Sequence, residues 1–136
     1  MSWQDGILEA QHKKVIVGRG ASVHGLPALR KVPGNKFLDI AMIRMNHKGS
    51  HMDAEDFNGV QGNVPEVVTH TKTAHGQGMG VISMKLIGEG SFTDREDRKA
   101  AMRYAFNTAG VDCVTVGYKN TDEIDEAIEN LNLALA

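Results

Sequence analysis

Four short apolar runs, each followed by a stretch with helical character, constrain the fold of this chain more than any other feature. The runs are Val15–Val17, Phe37–Ile43, Val81–Met84 and Val111–Val116. They lack strict alternation of apolar and polar residues, which is typical of strands covered on both faces. Alternating strands and helices predict an α/β fold with a parallel sheet and right-handed crossovers.

The predicted helices carry ordinary start signals. They cover Gln4–Lys13, Leu26–Val32, Val64–His75, Asp94–Asn107 and Thr121–Ala134. Thr93 with Glu96, and Asn120 with Glu123, form capping-box patterns before the last two helices. Apolar residues of the last helix recur at helical spacing and predict one apolar stripe. They are Ile124, Ala127, Ile128, Leu131 and Leu135.

Size and composition narrow the class of protein. A chain of 136 residues and 14.8 kDa predicts a single α/β domain over 1–136, too short for a complete eight-stranded barrel of about 200 to 250 residues. A net charge of −2 argues against a nucleic-acid partner, and no apolar run approaches the ~20 residues of a membrane span. The N-terminus shows no signal-peptide pattern. The single cysteine, Cys113, excludes an internal disulfide and favours a reducing, cytoplasmic location. Its place inside a strand predicts a small core residue.

The longest loop-like stretch, Asn46–Asn63, contains candidate metal ligands. His47 and His51 lie four residues apart, with Asp53 and Asp56 nearby. Histidine and carboxylate side chains can bind zinc or another divalent ion. Because the segment has a loop pattern, its spacing does not bring the ligands to one face. A solvated loop is the favoured interpretation, and we predict no metal site.

Four segments in order resemble one enzyme family. Val114–Glu126 resembles the last strand, loop and helix of the aldo/keto reductases. Gly20–Leu26 is similar to the turn after the family's fifth strand, Leu38–Asn46 to its sixth strand, and Gly80–Gly90 to its seventh strand and loop. The spacing of the four segments also agrees. The resemblance is to the C-terminal half of the family and implies half of a TIM barrel, with about four strand–helix units.

The resemblance implies a nicotinamide-cofactor site, because the family binds its cofactor with this half. By position, the implied cofactor-binding residues are Ser22, Lys85, Gly88, Gly90, Gly117, Tyr118, Lys119 and Asn120. Ser22 corresponds to a contact with the nicotinamide carboxamide, the next three residues to the pyrophosphate loop, and the last four to the adenosine end. Glu123 beside Asp122 would repel a 2′-phosphate, so NAD(H) is favoured over NADP(H).

The functional expectation follows from the same resemblance. The family reduces aldehydes or ketones, and its catalytic Asp, Tyr, Lys and His lie in the N-terminal half, so no catalytic residue is predicted here. We expect an NAD(P)-dependent aldo/keto reductase-like oxidoreductase, or its cofactor-binding fragment. The alternatives are a non-catalytic half-barrel that serves as an interaction or scaffold unit, and an unrelated α/β ligand-binding domain. A half-barrel exposes two sheet edges and an apolar inner face, which predicts self-association or a complementary half-barrel partner.

Overall fold

The computed structural model describes residues 2–56 and 61–136, so part of the predicted 46–63 loop lies outside the described residues. Helices and strands alternate in the predicted order. The strands are β1 (Gly20–Ser22), β2 (Ile40–Arg44), β3 (Gly80–Met84) and β4 (Cys113–Val114). The helices are α1 (Trp3–His12), α2 (Leu26–Leu29), α3 (Val64–Gly76), α4 (Arg95–Arg103) and α5 (Thr121–Leu135). A 3₁₀ turn covers Gly88–Gly90, and α4 continues into a π-helical segment, Tyr104–Ala109.

The strands form one parallel sheet in the order β1-β2-β3-β4. Each strand pairs with the next one along the chain, and every connection carries a helix. Ser22 lies opposite Met42, which lies opposite Ile82, which lies opposite Cys113. A TIM barrel contains eight parallel strands joined in this sequential way. The sheet is therefore α/β and has the strand complement of half a TIM barrel, as predicted.

The core lies between the sheet and the helices. Along β2, Ala41 and Ile43 are fully buried, and Val81 occupies the equivalent face of β3. Residues on the opposite face of these strands, including Ile40 and Met42, retain solvent exposure. This period of two gives the sheet one face covered by helices and one open face. The open face corresponds to the interior of a barrel.

The first predicted strand is wrong in position. Val15 and Val17 are 74% and 95% exposed, and β1 begins at Gly20. The sheet starts where the backbone N–H of Arg19 donates to the carboxylate of Asp39 at 2.8 Å and the Arg19 carbonyl accepts from the Asp39 N–H. Residues before Arg19 have no neighbouring strand, so their β-branched side chains remain in solvent.

The prediction that Cys113 is a core residue is also wrong, because this cysteine is exposed. Its register partner is Ile82, so the two side chains lie on the same, open face of the sheet. β4 is an edge strand of two residues. The apolar strand pattern predicted a buried cysteine, but the open face of a half-barrel leaves it exposed.

Two details of the last helices differ from the predictions. Asp94, rather than Thr93, caps α4 by accepting from the Glu96 N–H at 3.0 Å. The apolar stripe of α5 is only partly buried, since Ile124 and Ile128 are 40% and 53% exposed. The buried positions of α5 are Asn130 and Ala134, because an ion pair with α4 turns the neighbouring face inward.

The start of α5 follows its prediction more closely. The Asn120 side chain accepts from the Glu123 N–H at 3.0 Å. The Glu123 carboxylate accepts from the N–H of Lys119 rather than from that of Asn120. None of the helices within the described residues combines the length and apolar composition that a bilayer crossing requires.

Candidate functional site

A pocket of about 860 Å³ opens at the carboxyl ends of β3 and β4. Its walls are the loops that follow these two strands, together with α4 and α5. A smaller pocket of about 370 Å³ lies at the opposite, amino-terminal ends of the strands. Ligands of TIM-type folds bind at the carboxyl ends, and the larger volume is within the range of cofactor pockets. The larger pocket is therefore the candidate site.

The loop after β3 forms the first wall. Lys85 and Glu89 both adopt positive φ angles, of 60° and 56°, and their side chains form an ion pair. The buried side chain of Asn46 donates to the Lys85 carbonyl at 3.0 Å and to the Ser50 carbonyl at 2.8 Å, which fixes the loop to the end of β2. Lys85 lowers the pKa of Glu89 by hydrogen bonding, so this carboxylate stays charged at neutral pH.

The glycines around the pocket have different roles. An ideal Cβ added at Gly90 or Gly117 would meet nothing within 4 Å, so a ligand can approach the backbone there. Gly88 is buried, and a Cβ at this position would clash with the Ser91 hydroxyl oxygen and lie 3.0 Å from the Phe92 ring. Gly88 therefore permits the packing of Phe92 and does not line the pocket.

Arg98 on α4 joins α5 to the loop after β3, and we call this set of contacts the Arg98 clamp. The guanidinium donates to both carboxylate oxygens of Glu126, at 2.7 and 2.9 Å. It also donates to the carbonyls of Phe92 and Thr93, at 3.0 and 2.7 Å. Hydrogen bonding to Arg98 lowers the pKa of Glu126. The clamp fixes the rotation of α5 against α4 and so defines the width of the pocket.

The loop after β4 forms the mouth of the pocket. Tyr118 is 39% exposed and lines the pocket with Lys119, and burial of its ring raises the pKa of the Tyr118 phenol. Glu123 also lines the pocket and accepts from the Lys119 N–H at 2.9 Å. A lysine and a carboxylate therefore lie side by side where the loop enters α5.

Asn130 is a candidate site residue that the sequence analysis missed. As a residue it is 7% exposed, and it lines the pocket. Its amide can donate to and accept from a polar group of a ligand. The available signal was a polar residue one helical turn after Glu126, on the face next to the predicted apolar stripe.

The structure brings most of the implied cofactor residues together. Five of them line the pocket: Lys85, Gly90, Gly117, Tyr118 and Lys119. Gly88 is buried beneath the first wall, and Asn120 caps α5. The Ser22 hydroxyl lies 3.9 Å from the sulfur of Met84, a residue of the pocket floor, so Ser22 borders the site from β1.

The loop histidines do not gather around one point. His47 packs edge-on against the Phe92 ring, with centroids 5.4 Å apart, and burial lowers its pKa. The His51 ring nitrogen lies 3.5 Å from a Glu89 oxygen. Within the described residues, no three His, Cys, Asp or Glu side chains are placed to hold a metal ion.

A buried ion pair lies beside the site. The fully buried Asp53 accepts from the Gly25 N–H at 2.7 Å, and one of its oxygens lies 3.7 Å from the Arg44 guanidinium. Its other oxygen has no hydrogen-bond partner. Burial therefore raises the pKa of Asp53, although the Gly25 N–H and the charge of Arg44 oppose that shift.

Comparison with known proteins supports the fold. No family model matches the chain, and no curated protein sequence matches it. The crystal structure of a protein from Pseudomonas aeruginosa, provisionally named an aldo-keto reductase, matches with a TM-score of 0.71 and 15% identity. The match covers 97% of this chain and 44% of that chain. The chain thus spans less than half the length of the structure that it resembles, and the shared feature is an aldo-keto reductase-like α/β fold.

Proposed function

We propose that this chain is the cofactor-binding, C-terminal part of an aldo/keto reductase-like oxidoreductase, and that the large pocket binds a nicotinamide dinucleotide. The observation that carries the proposal is the convergence of Lys85, Gly90, Gly117, Tyr118 and Lys119 on one pocket at the carboxyl ends of β3 and β4. The aldo-keto reductase-like fold supports it.

The pocket has the chemistry that such a cofactor requires. Lys85 and the open backbone at Gly90 suit the negatively charged pyrophosphate. Lys119 and the Tyr118 ring suit the adenosine end, and the amide of Asn130 can donate to and accept from a base or sugar. When bound, the cofactor supplies a hydride for carbonyl reduction.

In this proposal, the chain's own residues bind and orient the cofactor. The Arg98 clamp holds α5 in place, and the Lys85–Glu89 pair holds the loop after β3. Reduction of an aldehyde or ketone also needs a proton donor at the carbonyl, and the proposal assigns that role to no residue of this chain. The proposed location is the cytoplasm, since a single cysteine makes no internal disulfide.

Titration of the purified chain with NADH and NADPH, followed by reduced-cofactor fluorescence, tests the proposal. We expect saturable binding with a blue shift. Lys119→Ala should weaken binding about fivefold or more, because one charge beside a phosphate is lost. Lys72→Ala, an exposed lysine on α3, is the matched control and should leave binding unchanged.

Absence of binding by either cofactor at millimolar concentration would refute the proposal. The second candidate function, a non-catalytic half-barrel interaction unit, would then be preferred. The exposure of Val17 at 95% and of the open sheet face favours this candidate, since exposed apolar surface often marks a protein interface.

A further inference from the structure

The sheet has two unpaired edges, and each can accept a further parallel strand. β1 forms one edge and β4 the other, and among the described strands neither outer edge has a partner. All four strands are parallel, so a parallel strand added at either edge would extend the same sheet. Unpaired edges are normally covered or protected, because their free N–H and C=O groups recruit other strands.

Exposed apolar residues lie beside both edges. Val15 and Val17 precede β1 and are 74% and 95% exposed. Ile124 and Ile128 are on α5, the helix that follows β4. In a TIM barrel, the helices form a ring outside the strands. A further strand beside β4 would lie on the same side of the sheet edge as α5, and could cover some of this exposed surface.

The open face of the sheet presents a row of side chains that runs across all four strands. Ser22, Met42, Ile82 and Cys113 occupy successive strands in register. A TIM barrel has a shear of eight residues for a full circuit, which is about four for half a circuit. Because the strands of a TIM barrel tilt in a right-handed sense, a row that follows the register drops by four residues over half a circuit. If the next strand is β1 of a second copy, the row meets it four positions before Ser22, at Gly18.

We propose that two copies of this chain close one eight-stranded barrel, in which β4 of each copy pairs in parallel with residues 17–20 of the other. Two copies supply eight strands, and one two-fold rotation satisfies all four open edges. Gly18 of the second copy lies opposite Cys113, and Val17 becomes part of a paired strand. Val17, the last residue of the predicted first strand, thus acquires the neighbour that the single copy lacks.

Other features of the chain agree with a second copy as the occupant. The seam, formed by residues 17–20 of one copy and β4 of the other, contains one charged residue, Arg19, which is already paired with Asp39 of its own copy. An ideal Cβ at Gly18 lies 3.5 Å from the Ile40 side chain, so this position already faces the open side of the sheet. Helix α1 buries none of its residues, and the Gln11 side chain, which donates to the Val17 carbonyl at 3.0 Å, must release this carbonyl when α5 of the second copy approaches.

The oligomeric state is the first test. Gel filtration with light scattering should show a species of twice the 14.8 kDa chain mass. Val17→Glu should raise the dimer dissociation constant about tenfold or more, because it places a charge in the seam. Val17 is 95% exposed in the single copy, so circular dichroism of the variant should show an unchanged fold. Neither readout depends on cofactor binding.

A disulfide trap tests the register. Because Cys113 is the only cysteine, Gly18→Cys creates one possible pair across each seam, and adjacent strands are within disulfide range. Mild oxidation should give a covalent dimer that reducing agent dissolves. Lys72→Cys, on the outer surface of α3, and the wild-type chain are controls that should stay uncrosslinked.

Three results would overturn the proposal. A monomer at every concentration would leave the open face to a different set of strand–helix units. Equal crosslinking of the Gly18→Cys and Lys72→Cys variants would indicate non-specific association. Wild-type dimers linked through the two Cys113 thiols would place β4 against β4, which the closed barrel forbids.

Discussion

Replacing Arg98 with methionine should destabilise the chain and loosen the pocket. Arg98 is 23% exposed at its side chain and Glu126 is 14% exposed, so the pair is largely shielded from water. The arginine donates two hydrogen bonds to Glu126 and two more to backbone carbonyls. Methionine keeps much of the aliphatic volume but removes all four donors.

The magnitude follows from the loss of a charged partner. Hydrogen bonds to charged groups each contribute about 1.5 to 3 kcal/mol, and partial exposure reduces the total. We expect Arg98→Met to lower the free energy of unfolding by about 2 kcal/mol at pH 7. For 136 residues, this corresponds to a fall in Tm of about 7 °C. The pKa of Glu126 is lowered in the folded chain, so the contribution is present above its unfolded pKa of about 4.3 and is lost as the pH falls through the folded value.

Urea unfolding of the wild type, Arg98→Met, Glu126→Gln and the double variant gives a double-mutant cycle. A coupling of about 1 kcal/mol or more at pH 7, which decreases toward pH 3, is expected. Lys13→Ala removes a well-exposed ion pair with Glu9 and should cause no measurable change. Additive single variants, or a coupling that grows at low pH, would refute the assigned role of the clamp.

Three further predictions concern single positions around the site. Gly90→Ala should cost about 1 kcal/mol of stability through its φ of +89° alone, whereas Gly88→Ala should cost about 2 kcal/mol or more because the Ser91 side chain and the Phe92 ring must also shift. Chemical denaturation of both variants would show equal costs if this packing argument is incorrect. Burial raises the pKa of Asp53 above its unfolded value of about 3.9. The wild-type free energy of unfolding should therefore fall as the pH rises from the unfolded pKa through the folded pKa, and Asp53→Asn should reduce this dependence of Tm on pH in thermal scans. Glu123→Gln should raise the ratio of NADPH affinity to NADH affinity by about threefold, because it removes one negative charge but keeps an oxygen that can accept from the Lys119 N–H. An unchanged ratio in paired titrations would exclude Glu123 as a specificity residue.

The alternation of strands and helices was predictable because each element carries a strong local signal. Pro65 in the first turn of α3 and the Asn120 cap of α5 mark their helices in the sequence, and both helices begin there. The apolar runs Phe37–Ile43 and Val81–Met84, the second preceded by Gly78 and Gly80, likewise place β2 and β3 to within a few residues. The parallel order then follows from the connection rules, whereas the assignment to half of a TIM barrel came from the family resemblance.

Burial was less predictable, because it depends on neighbours that the local pattern does not specify. The sequences around Val17 and Cys113 have the same apolar character as β2 and β3, yet both residues are exposed. Their difference from Ile43 is position, since they lie at the edges of the sheet while Ile43 lies at its centre. The errors in predicted burial are therefore concentrated at the two edges.

The same reasoning explains which parts of the pocket could be located from sequence. Gly117 and Lys119 follow a strand, and every loop after a parallel strand reaches the same end of the sheet, so chain order alone brings them to the pocket. Asn130 reaches it because of how α5 is rotated about its axis, and the ion pairs of Arg95 and Arg98 with Glu126 hold that rotation. Periodicity placed the whole apolar stripe inward, whereas only Ala127 and Leu131 of the stripe pack against the core. Charged side chains on two helices thus help to decide both which amide faces the pocket and which aliphatic residues remain exposed.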